Sequence, residues 1–354
     1  MAEPPATIPA AAATAERDVL LATKLHLPRI RPGFVARPRL ADRLAPAQAG
    51  ELTLVCAPAG FGKTALLADW ARRGRRPVAW LSLDDADNDP ARFWRHVAAA
   101  LDTVRPGVAR QVAALLQGLQ PGSFEAVVTA LVNQLAGRAE ELVLVLDDYH
   151  LVQAPQVHQS VEFLLAHLPA SLRLVLASRA DPPLPLARLR ARGLLSELRV
   201  ADLRFSPTEA AELLRTAVGP GLPEAAVAAL TDRTEGWVAG LQLAALSLQG
   251  RGDVAAFVEG FSGSHRYVLD YLTEEVLDRQ PEQLRQFLLE ASVSQAIPRS
   301  PSTWSWPGCC WPRPARPSPR APGTPARAGR GPAADGQPDR DPGPPGARPG
   351  RQRR

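Results

Sequence analysis

One eight-residue stretch constrains the fold more than any other part of this 354-residue chain. It runs from Ala57 to Thr64 and places Gly60 and Gly62 between an apolar run at residues 52–56 and a helical pattern. Glycine adopts backbone angles that other residues resist, so a tight turn from a strand into a helix fits here. Such a turn points several main-chain N–H groups at one spot, where the helix N-terminus also favours an anion.

The spacing of this stretch is that of the phosphate-binding P-loop, with Ala57 in place of the first glycine. In that motif Lys63 would reach the β- and γ-phosphates, and the Thr64 hydroxyl would ligate Mg²⁺. Only Lys24 and Lys63 are lysines among 41 basic residues, so a lysine at this position stands out. An accidental glycine-rich turn is the weaker alternative. The predicted cofactor-binding residues are Ala59, Gly60, Phe61, Gly62, Lys63 and Thr64.

Two adjacent carboxylates follow the wholly apolar run at residues 142–146. In P-loop NTPases a carboxylate at the end of a buried parallel strand beside the P-loop strand holds Mg²⁺. We expect Asp147 to be this metal ligand, together with Thr64. Asp148 is expected to be catalytic, by orienting or deprotonating an attacking water. The alternative for both is a turn or cap, because Asp is common at strand ends.

A further apolar run, at residues 172–177, ends in Ser178 and Arg179 and predicts a strand whose end lies at the same sheet edge. Arg179 is the second catalytic candidate, since its charge would sense or neutralise a γ-phosphate. The alternative is a surface arginine paired with Asp181. Taken together, these residues predict binding of ATP or GTP with Mg²⁺.

Short apolar runs alternate with helical patterns as far as residue 204, and this alternation indicates the fold class. Runs without polar alternation are typical of a parallel sheet with helices on both faces. Besides the three runs above, strands are predicted at 77–83 and, more weakly, 198–203, with helices at 64–72, 90–101, 124–135 and 157–167. The segment 20–44 is expected to be draped rather than regular. After residue 204 all patterns are helical, at 206–216, 223–231, 238–248, 254–259, 265–276 and 281–290.

The composition changes abruptly at Pro298. Residues 298–354 contain 15 of the 36 prolines and no Leu, Ile, Val, Phe, Met or Tyr, so they cannot build a packed core. They also hold 11 arginines against three aspartates, which leaves residues 1–297 with a net charge of −3 out of the total of +5. The overall positive charge is therefore no sign of a nucleic-acid-binding core. A GC-rich gene read out of frame would give this composition; the alternative is a disordered tail that binds nucleic acid or anionic surfaces.

No targeting or membrane signal is visible. The first 17 residues are rich in Ala and Pro and lack a basic stretch at their start, so they do not read as a signal peptide. No run of about 18 apolar residues occurs. The three cysteines provide no disulfide framework. We expect a cytoplasmic protein without a membrane partner.

Seven sequence segments, taken together, resemble the nucleotide-binding region of the MalT-like, ATP-dependent LuxR-type transcriptional regulators. These regulators are members of the STAND class of signal-transducing P-loop ATPases. The segments are residues 23–25, 35–40, 57–64, 78–84, 144–150, 177–191 and 234–244. The resemblance covers residues 20–293. It implies ATP/ADP and Mg²⁺ as cofactors. It also implies a switch, in which ADP holds a closed state, ATP with an inducer opens it for self-association, and slow hydrolysis resets it.

The resemblance also assigns roles outside the P-loop. Trp237 would lie near the base or between domains, in a helical region that covers the nucleotide; ordinary core packing is the alternative. Arg37 would contact the nucleotide from the N-terminal segment, against the alternative of a surface arginine. Residues 265–277 resemble the beginning of a winged-helix domain that would clamp the chain rather than bind DNA.

The fold class expected is therefore an α/β P-loop NTPase followed by an all-helical domain and a truncated winged-helix start. The expected order is a disordered leader (1–17), the P-loop domain (18–204), a helical lid (205–260), an incomplete winged-helix domain (261–297) and a disordered tail (298–354).

Full-length members of the family continue into a helical-repeat sensor and a DNA-binding helix-turn-helix, and neither pattern occurs in this sequence. DNA binding is therefore expected only of a full-length homologue, and the inducer stays unknown. We expect the switch module of a regulator with weak ATPase activity. The alternatives are a free-standing P-loop ATPase or phosphotransferase, and a scaffold that binds ADP without turnover.

Overall fold

Five parallel strands form the central sheet of the computed structural model, which describes residues 20–44, 52–118, 124–137, 140–250, 253–261, 265–278, 280 and 282–293. They are β1 (Leu52–Cys56), β2 (Val78–Ser82), β3 (Leu142–Asp147), β4 (Leu172–Ser178) and β5 (Leu195–Leu198). Their spatial order is β2-β3-β4-β1-β5, and every neighbouring pair is parallel. The predicted parallel sheet is confirmed. The predicted leader (1–17) and tail (298–354) lie outside the described residues.

Two details of the predicted sheet are wrong. β3 does not lie beside β1, because β4 pairs with both and separates them. The predicted strand at 198–203 is also misplaced, since β5 ends at Leu198. The Asp202 carboxylate accepts a 2.8 Å hydrogen bond from the backbone N–H of Arg199 and turns the chain into a helix there.

Helices follow each of the five strands and make up the regular structure described after residue 204. They are α1 (Pro38–Leu44), α2 (Lys63–Arg73), α3 (Pro90–Asp102), α4 (Val108–Gly118), α5 (Glu125–Ala136), α6 (Pro155–Ala166), α7 (Leu186–Ala191), α8 (Val200–Leu203), α9 (Pro207–Val218), α10 (Glu224–Thr234), α11 (Val238–Leu248), α12 (Val254–Gly260), α13 (Arg266–Leu272) and α14 (Glu282–Val293). Short 3₁₀ turns lie at Ala22–Leu25, Asp85–Asn88 and Tyr149–Leu151, and a π-helical turn at Thr273–Leu277 follows α13. No described helix has the length and apolar character that a membrane crossing requires.

Capping side chains explain where several helices begin. Asp89 accepts a hydrogen bond from the Arg92 N–H at the start of α3, and Ser206 and Glu209 form a capping box at the start of α9. α4 is absent from the sequence-based prediction. Its start is fixed by the Asp102 carboxylate, which accepts hydrogen bonds from the N–H groups of Gly107 and Ala109.

Buried apolar side chains form one cluster on each face of the sheet and a third among the helices. Leu54 and Leu144 belong to the first cluster, and Val55 and Val145 to the second, so adjacent residues of a strand are buried on opposite faces. The third cluster contains Val35 and Phe205 together with residues of α9 to α13. The helical region therefore has a core of its own. The predicted domain boundaries remain predictions.

A buried group of charges fixes the N-terminal segment to the sheet. The Lys24 ammonium donates to the Asp87 carboxylate at 2.5 Å and lies 3.1 Å from Asp84, and His96 Nδ1 lies 2.6 Å from the second Asp87 oxygen. Burial alone would raise the pKa of Asp87, but the hydrogen bonds from His96 and Lys24 lower it to about 2. The segment that the sequence suggests is merely draped is thus tied to the turn after β2.

We predict that Asp87→Asn lowers the free energy of unfolding at pH 7 by about 3 kcal/mol, because it leaves the buried Lys24 ammonium with only the half-exposed Asp84 carboxylate as a counter-charge. Since the pKa of Asp87 is depressed, this stabilisation is present above pH 4 and is lost as the pH falls toward 2. Urea denaturation at pH 7 measures the difference. Asp85→Asn, at an exposed position of the same turn, is the control and should change the value by less than about 0.5 kcal/mol. Equal effects of the two substitutions would contradict the prediction.

Candidate functional site

The predicted P-loop forms the turn between β1 and α2. Gly60 and Gly62 have φ angles of +81° and +73°, in the left-handed region where side chains are strained. Gly62 immediately precedes Lys63, the first residue of α2. The loop therefore has the strand–turn–helix geometry that its sequence predicts, with the helix N-terminus behind it.

Lys63 folds back against the loop. Its ammonium donates to the backbone oxygens of Ala57 at 2.8 Å and Pro58 at 3.1 Å, and the residue is 7% exposed. Burial and, to a smaller extent, the nearby Arg179 cation lower the pKa of Lys63 to about 8, against the opposing carboxylates of Asp148 and Asp147. The ammonium is thus held at the loop, within electrostatic range of the other predicted site residues.

The structure brings Thr64 and Asp147 together. Asp147 ends β3 with 2% exposure, and its carboxylate accepts hydrogen bonds from the Thr64 side chain and from the Asp148 N–H. Burial raises the pKa of Asp147 to about 6, and the neighbouring Asp148 charge acts in the same direction. Asp148 follows with a φ of +57° and a side chain that is 41% exposed. One carboxylate is therefore buried beside the P-loop, and the next one faces solvent.

Arg179 has a partner that the sequence does not predict. Its guanidinium donates to the Glu275 carboxylate at 2.8 Å and to the Glu275 backbone oxygen at 2.9 Å. The alternative pairing with Asp181 is not found, because Asp181 pairs with Arg199 instead. The side chain joins the end of β4 to the π-helical turn 96 residues later.

Arg37 is buried, so the alternative interpretation of it as a surface arginine is wrong. Its guanidinium donates to the backbone oxygens of Gly62 at 3.2 Å and Leu203 at 3.0 Å, and lies 5.2 Å from the centre of the Phe205 ring. Burial lowers its pKa to about 10, against the opposing charge of Glu209. Arg37 therefore supports the P-loop, α8 and the beginning of the helical region at once. Its contact with a nucleotide remains a prediction.

The residues before and at the start of α11 lie directly on the P-loop. Trp237 Nε1 donates to the Ala59 oxygen at 3.1 Å, and the Ala239 N–H donates to the Gly60 oxygen at 2.9 Å. A Cβ atom at Gly60 would lie 2.6 Å from Trp237 Nε1 and 2.7 Å from the Ala239 Cβ. Gly60 is therefore needed for this contact as well as for its φ angle. Trp237 also packs against the apolar cluster of the helical region, so it joins that core to the P-loop, and its position near a nucleotide base remains a prediction.

Sequence reasoning missed Ala239, Tyr271 and Glu275. The Tyr271 ring packs edge-on against Trp237, with 5.6 Å between ring centres. Ala239 lies in the segment 234–244 that carries the family resemblance, but its contact is made by its backbone N–H, which the residue type does not reveal. Glu275 reaches Arg179 across 96 residues of chain and has no motif around it. The helical pattern at 265–276 was the available signal, and it carries no information about which strand end the helix approaches.

The donor set at this sheet edge fits a nucleoside phosphate with Mg²⁺. The loop offers main-chain N–H groups and a buried ammonium, which suit phosphate oxygens. A hydroxyl and a carboxylate already in contact, Thr64 and Asp147, are the oxygen ligands that Mg²⁺ prefers. Phe61 is partly buried and packs against the cluster on one face of the sheet.

We predict that Asp147→Asn stabilises the nucleotide-free protein. Because the folded-state pKa of about 6 lies above the ordinary 3.8, the ionised carboxylate costs stability in full above pH 6, and this cost disappears below pH 4. The gain in free energy of unfolding should be about 3 kcal/mol at pH 8 and vanish near pH 4. Urea denaturation with EDTA at both values measures it. Asp232→Asn, at an exposed position of α10, is the control; a gain that did not depend on pH would contradict the argument.

Sequence comparison relates this chain to a family of AAA domains and to longer proteins. Residues 47–181 match a family described as an AAA domain. The serine/threonine-protein kinase PknK of Mycobacterium tuberculosis is 38% identical over 278 residues, which are 77% of this chain and 25% of that protein. The HTH-type transcriptional regulator MalT of Serratia proteamaculans is 37% identical over 283 residues, 79% of this chain and 31% of that protein. The chain thus spans between a quarter and a third of the length of these relatives.

Two solved structures resemble the fold more distantly. The Aeropyrum pernix ORC1 protein in complex with DNA is 18% identical, with 73% of this chain and 71% of that chain covered and a TM-score of 0.41. The RuvB Holliday junction branch migration motor of Thermotoga maritima is 16% identical, with 72% and 78% covered and a TM-score of 0.36. Resemblance at this level says nothing about function. The family match and the sequence relatives together show that this chain carries an AAA-type P-loop ATPase domain related to the MalT regulators and to PknK.

Proposed function

We propose that this chain is the ATP-binding switch module of a LuxR/MalT-type transcriptional regulator, in which slow Mg²⁺-dependent hydrolysis controls self-association. The observation that supports it best is the contact of Trp237 and Ala239 with the backbone of the P-loop. A loop that changes shape around a nucleotide would alter these hydrogen bonds directly. The nucleotide state would thereby reach the helical region without an intermediate element.

The roles of the residues follow from their positions. The main chain at Ala59 to Gly62 and the Lys63 ammonium would bind the phosphates, and Thr64 with Asp147 would hold Mg²⁺. Mg²⁺ supplies charge neutralisation on the phosphates when it is bound. Asp148, which is half exposed, would orient the attacking water, and Arg179 would neutralise the γ-phosphate. Arg37 would contribute to nucleotide binding through the loop that it supports. Trp237 would respond to the conformation of that loop from the side of the helical region.

The names of the relatives set the biological frame of this proposal. MalT is a helix-turn-helix regulator and PknK is a protein kinase, and this chain spans less than a third of either. We therefore propose the nucleotide switch for this chain, and we assign DNA binding only to full-length homologues. Self-association would depend on the bound nucleotide and on an inducer whose chemistry the described residues do not indicate.

We predict that Lys63→Ala abolishes the thermal stabilisation of the protein by Mg²⁺ and ATP. A ligand at a hundredfold excess over its Kd stabilises the folded state by about 2.7 kcal/mol, which corresponds to a shift of about 5 °C in Tm for a chain of this size. The variant loses the buried ammonium that faces the loop, so its shift should fall below about 1 °C. Thermal unfolding with and without ADP or ATP measures both proteins.

Arg110→Ala is a matched loss of one positive charge for this experiment. Arg110 is exposed on α4, which packs against α3 and α5 rather than against the P-loop. The variant should keep the full nucleotide-dependent shift. An unchanged shift in Lys63→Ala would show that nucleotide binds elsewhere and would refute the site.

A phosphotransferase is the second candidate, and one feature favours it. A cleft of about 580 Å³ opens beside the site, between the turn after β3, α6 and the segment after β4, with Tyr149, His158, Glu162 and Asp181 among its lining residues. An acceptor molecule would need such a cleft. Its lining includes Tyr149, Ser178 and Ala180, which adjoin Asp148 and Arg179 in the chain, but neither of those two residues. The cleft contains no residue of the P-loop.

Turnover measurements distinguish the candidates. A switch should hydrolyse ATP at well below about 1 s⁻¹, under the usual range of enzymes, and release all labelled γ-phosphate as free phosphate. Faster turnover, or transfer of the label to a small acceptor, would favour the phosphotransferase. Tight binding of ADP with no turnover would leave only a binding scaffold.

A further inference from the structure

The strongest unexplained contact lies between the end of β4 and the π-helical turn. The Arg179 guanidinium donates to both the carboxylate and the backbone oxygen of Glu275. The two side chains are only 24% and 29% exposed, so water screens the pair incompletely. A two-point contact of this kind fixes the orientation of the planar guanidinium and uses part of its hydrogen-bonding capacity.

Arg179 is placed to matter to a bound phosphate. It lies at the carboxyl end of β4, which pairs directly with the P-loop strand β1, so the two strand ends share one edge of the sheet. Its positive charge also lowers the pKa of Lys63. The carboxylate of Glu275 therefore pairs with a cation that lies at the same edge of the sheet as the P-loop.

Glu275 is held in this place by more than its ion pair. It lies in the turn that directly follows α13, and α13 packs against α11. Tyr271 of α13 also packs edge-on against Trp237, which donates to the Ala59 oxygen of the P-loop. The segment that carries Glu275 is thus anchored to the loop at one end and to Arg179 at the other.

We propose that Glu275 is a specificity-determining residue that makes the site favour a nucleoside diphosphate over a triphosphate. This inference rests on the proposed nucleotide switch. A diphosphate leaves the Arg179–Glu275 pair intact, whereas the charge of a third phosphate competes with the Glu275 carboxylate for the same guanidinium. Binding of the triphosphate must therefore break the pair, and this cost lowers its apparent affinity in proportion to the fraction of molecules in which the pair is open.

The experiment compares affinities for ADP and for a non-hydrolysable ATP analogue, both with Mg²⁺, by competition against a fluorescent nucleotide on the full chain. Glu275→Gln keeps the shape and the backbone contact but removes the charge. It should raise the affinity for the analogue relative to ADP about fivefold, which is the upper end for a partly exposed ion pair. Affinity for ADP should change less than twofold. Glu275→Ala removes the whole side-chain contact and should change the ratio in the same direction.

Two controls test whether the effect passes through Arg179. Glu274→Gln removes the neighbouring exposed carboxylate and should leave the ratio unchanged. In an Arg179→Ala background, Glu275→Gln should have no further effect, because the competing guanidinium is gone. A ratio that stays constant in Glu275→Gln, or one that changes equally with and without Arg179, would overturn the inference.

Failure of the inference and failure of the proposed function give different results. If wild-type protein binds both nucleotides, Lys63→Ala binds neither and Glu275→Gln leaves the ratio unchanged, the switch stands and the role of Glu275 is refuted. If wild-type protein binds neither nucleotide, both proposals are refuted together. Thermal unfolding of each nucleotide-free variant confirms that the affinities refer to folded protein.

Discussion

The absence of a side chain at Gly60 is the constraint on which the rest of the site depends. The strained φ angle needs glycine, but the closer requirement is steric, since Trp237 and Ala239 occupy the space that a Cβ atom would need. The close approach at this position allows Trp237 and Ala239, at the N-terminus of α11, to donate hydrogen bonds to the P-loop backbone. Gly236, with a φ of +70° and the Phe205 backbone packed against it, lets the chain approach at this angle.

Charged groups from distant parts of the sequence meet at the site. Lys63 and Arg179 bring two positive charges to the carboxyl edge of the sheet, and Asp147, Asp148 and Glu275 bring three negative ones. Neither the buried lysine nor the buried aspartate keeps its ordinary pKa, because each is partly desolvated. Perturbed groups of opposite sign in one place are typical of functional sites, although ion-pair networks also produce them.

The local features of this protein could be predicted from its sequence, and the long-range ones could not. The P-loop and four of the five strands depend on a few consecutive residues, and they are found close to where the sequence predicts them. The position of β3 relative to β1 depends on which strand enters between them, and no local pattern records that. The partner of Arg179 was unpredictable for a similar reason, since two nearby carboxylates, Asp181 and Glu275, compete and tertiary packing decides between them.

The strand order also dictates when the P-loop can form. β1 is the first strand of the sheet in the chain, yet its two neighbours are β4 and β5, more than 110 residues further on. Arg37, which supports the loop from the other side, needs the backbone oxygen of Leu203, 166 residues later. Such non-local pairing slows folding, because a long loop must close, at a cost in chain entropy, before any stabilising contact forms. During synthesis on a ribosome, the residues of the phosphate-binding turn therefore emerge early. The turn reaches its final conformation only after residues near 203 have emerged.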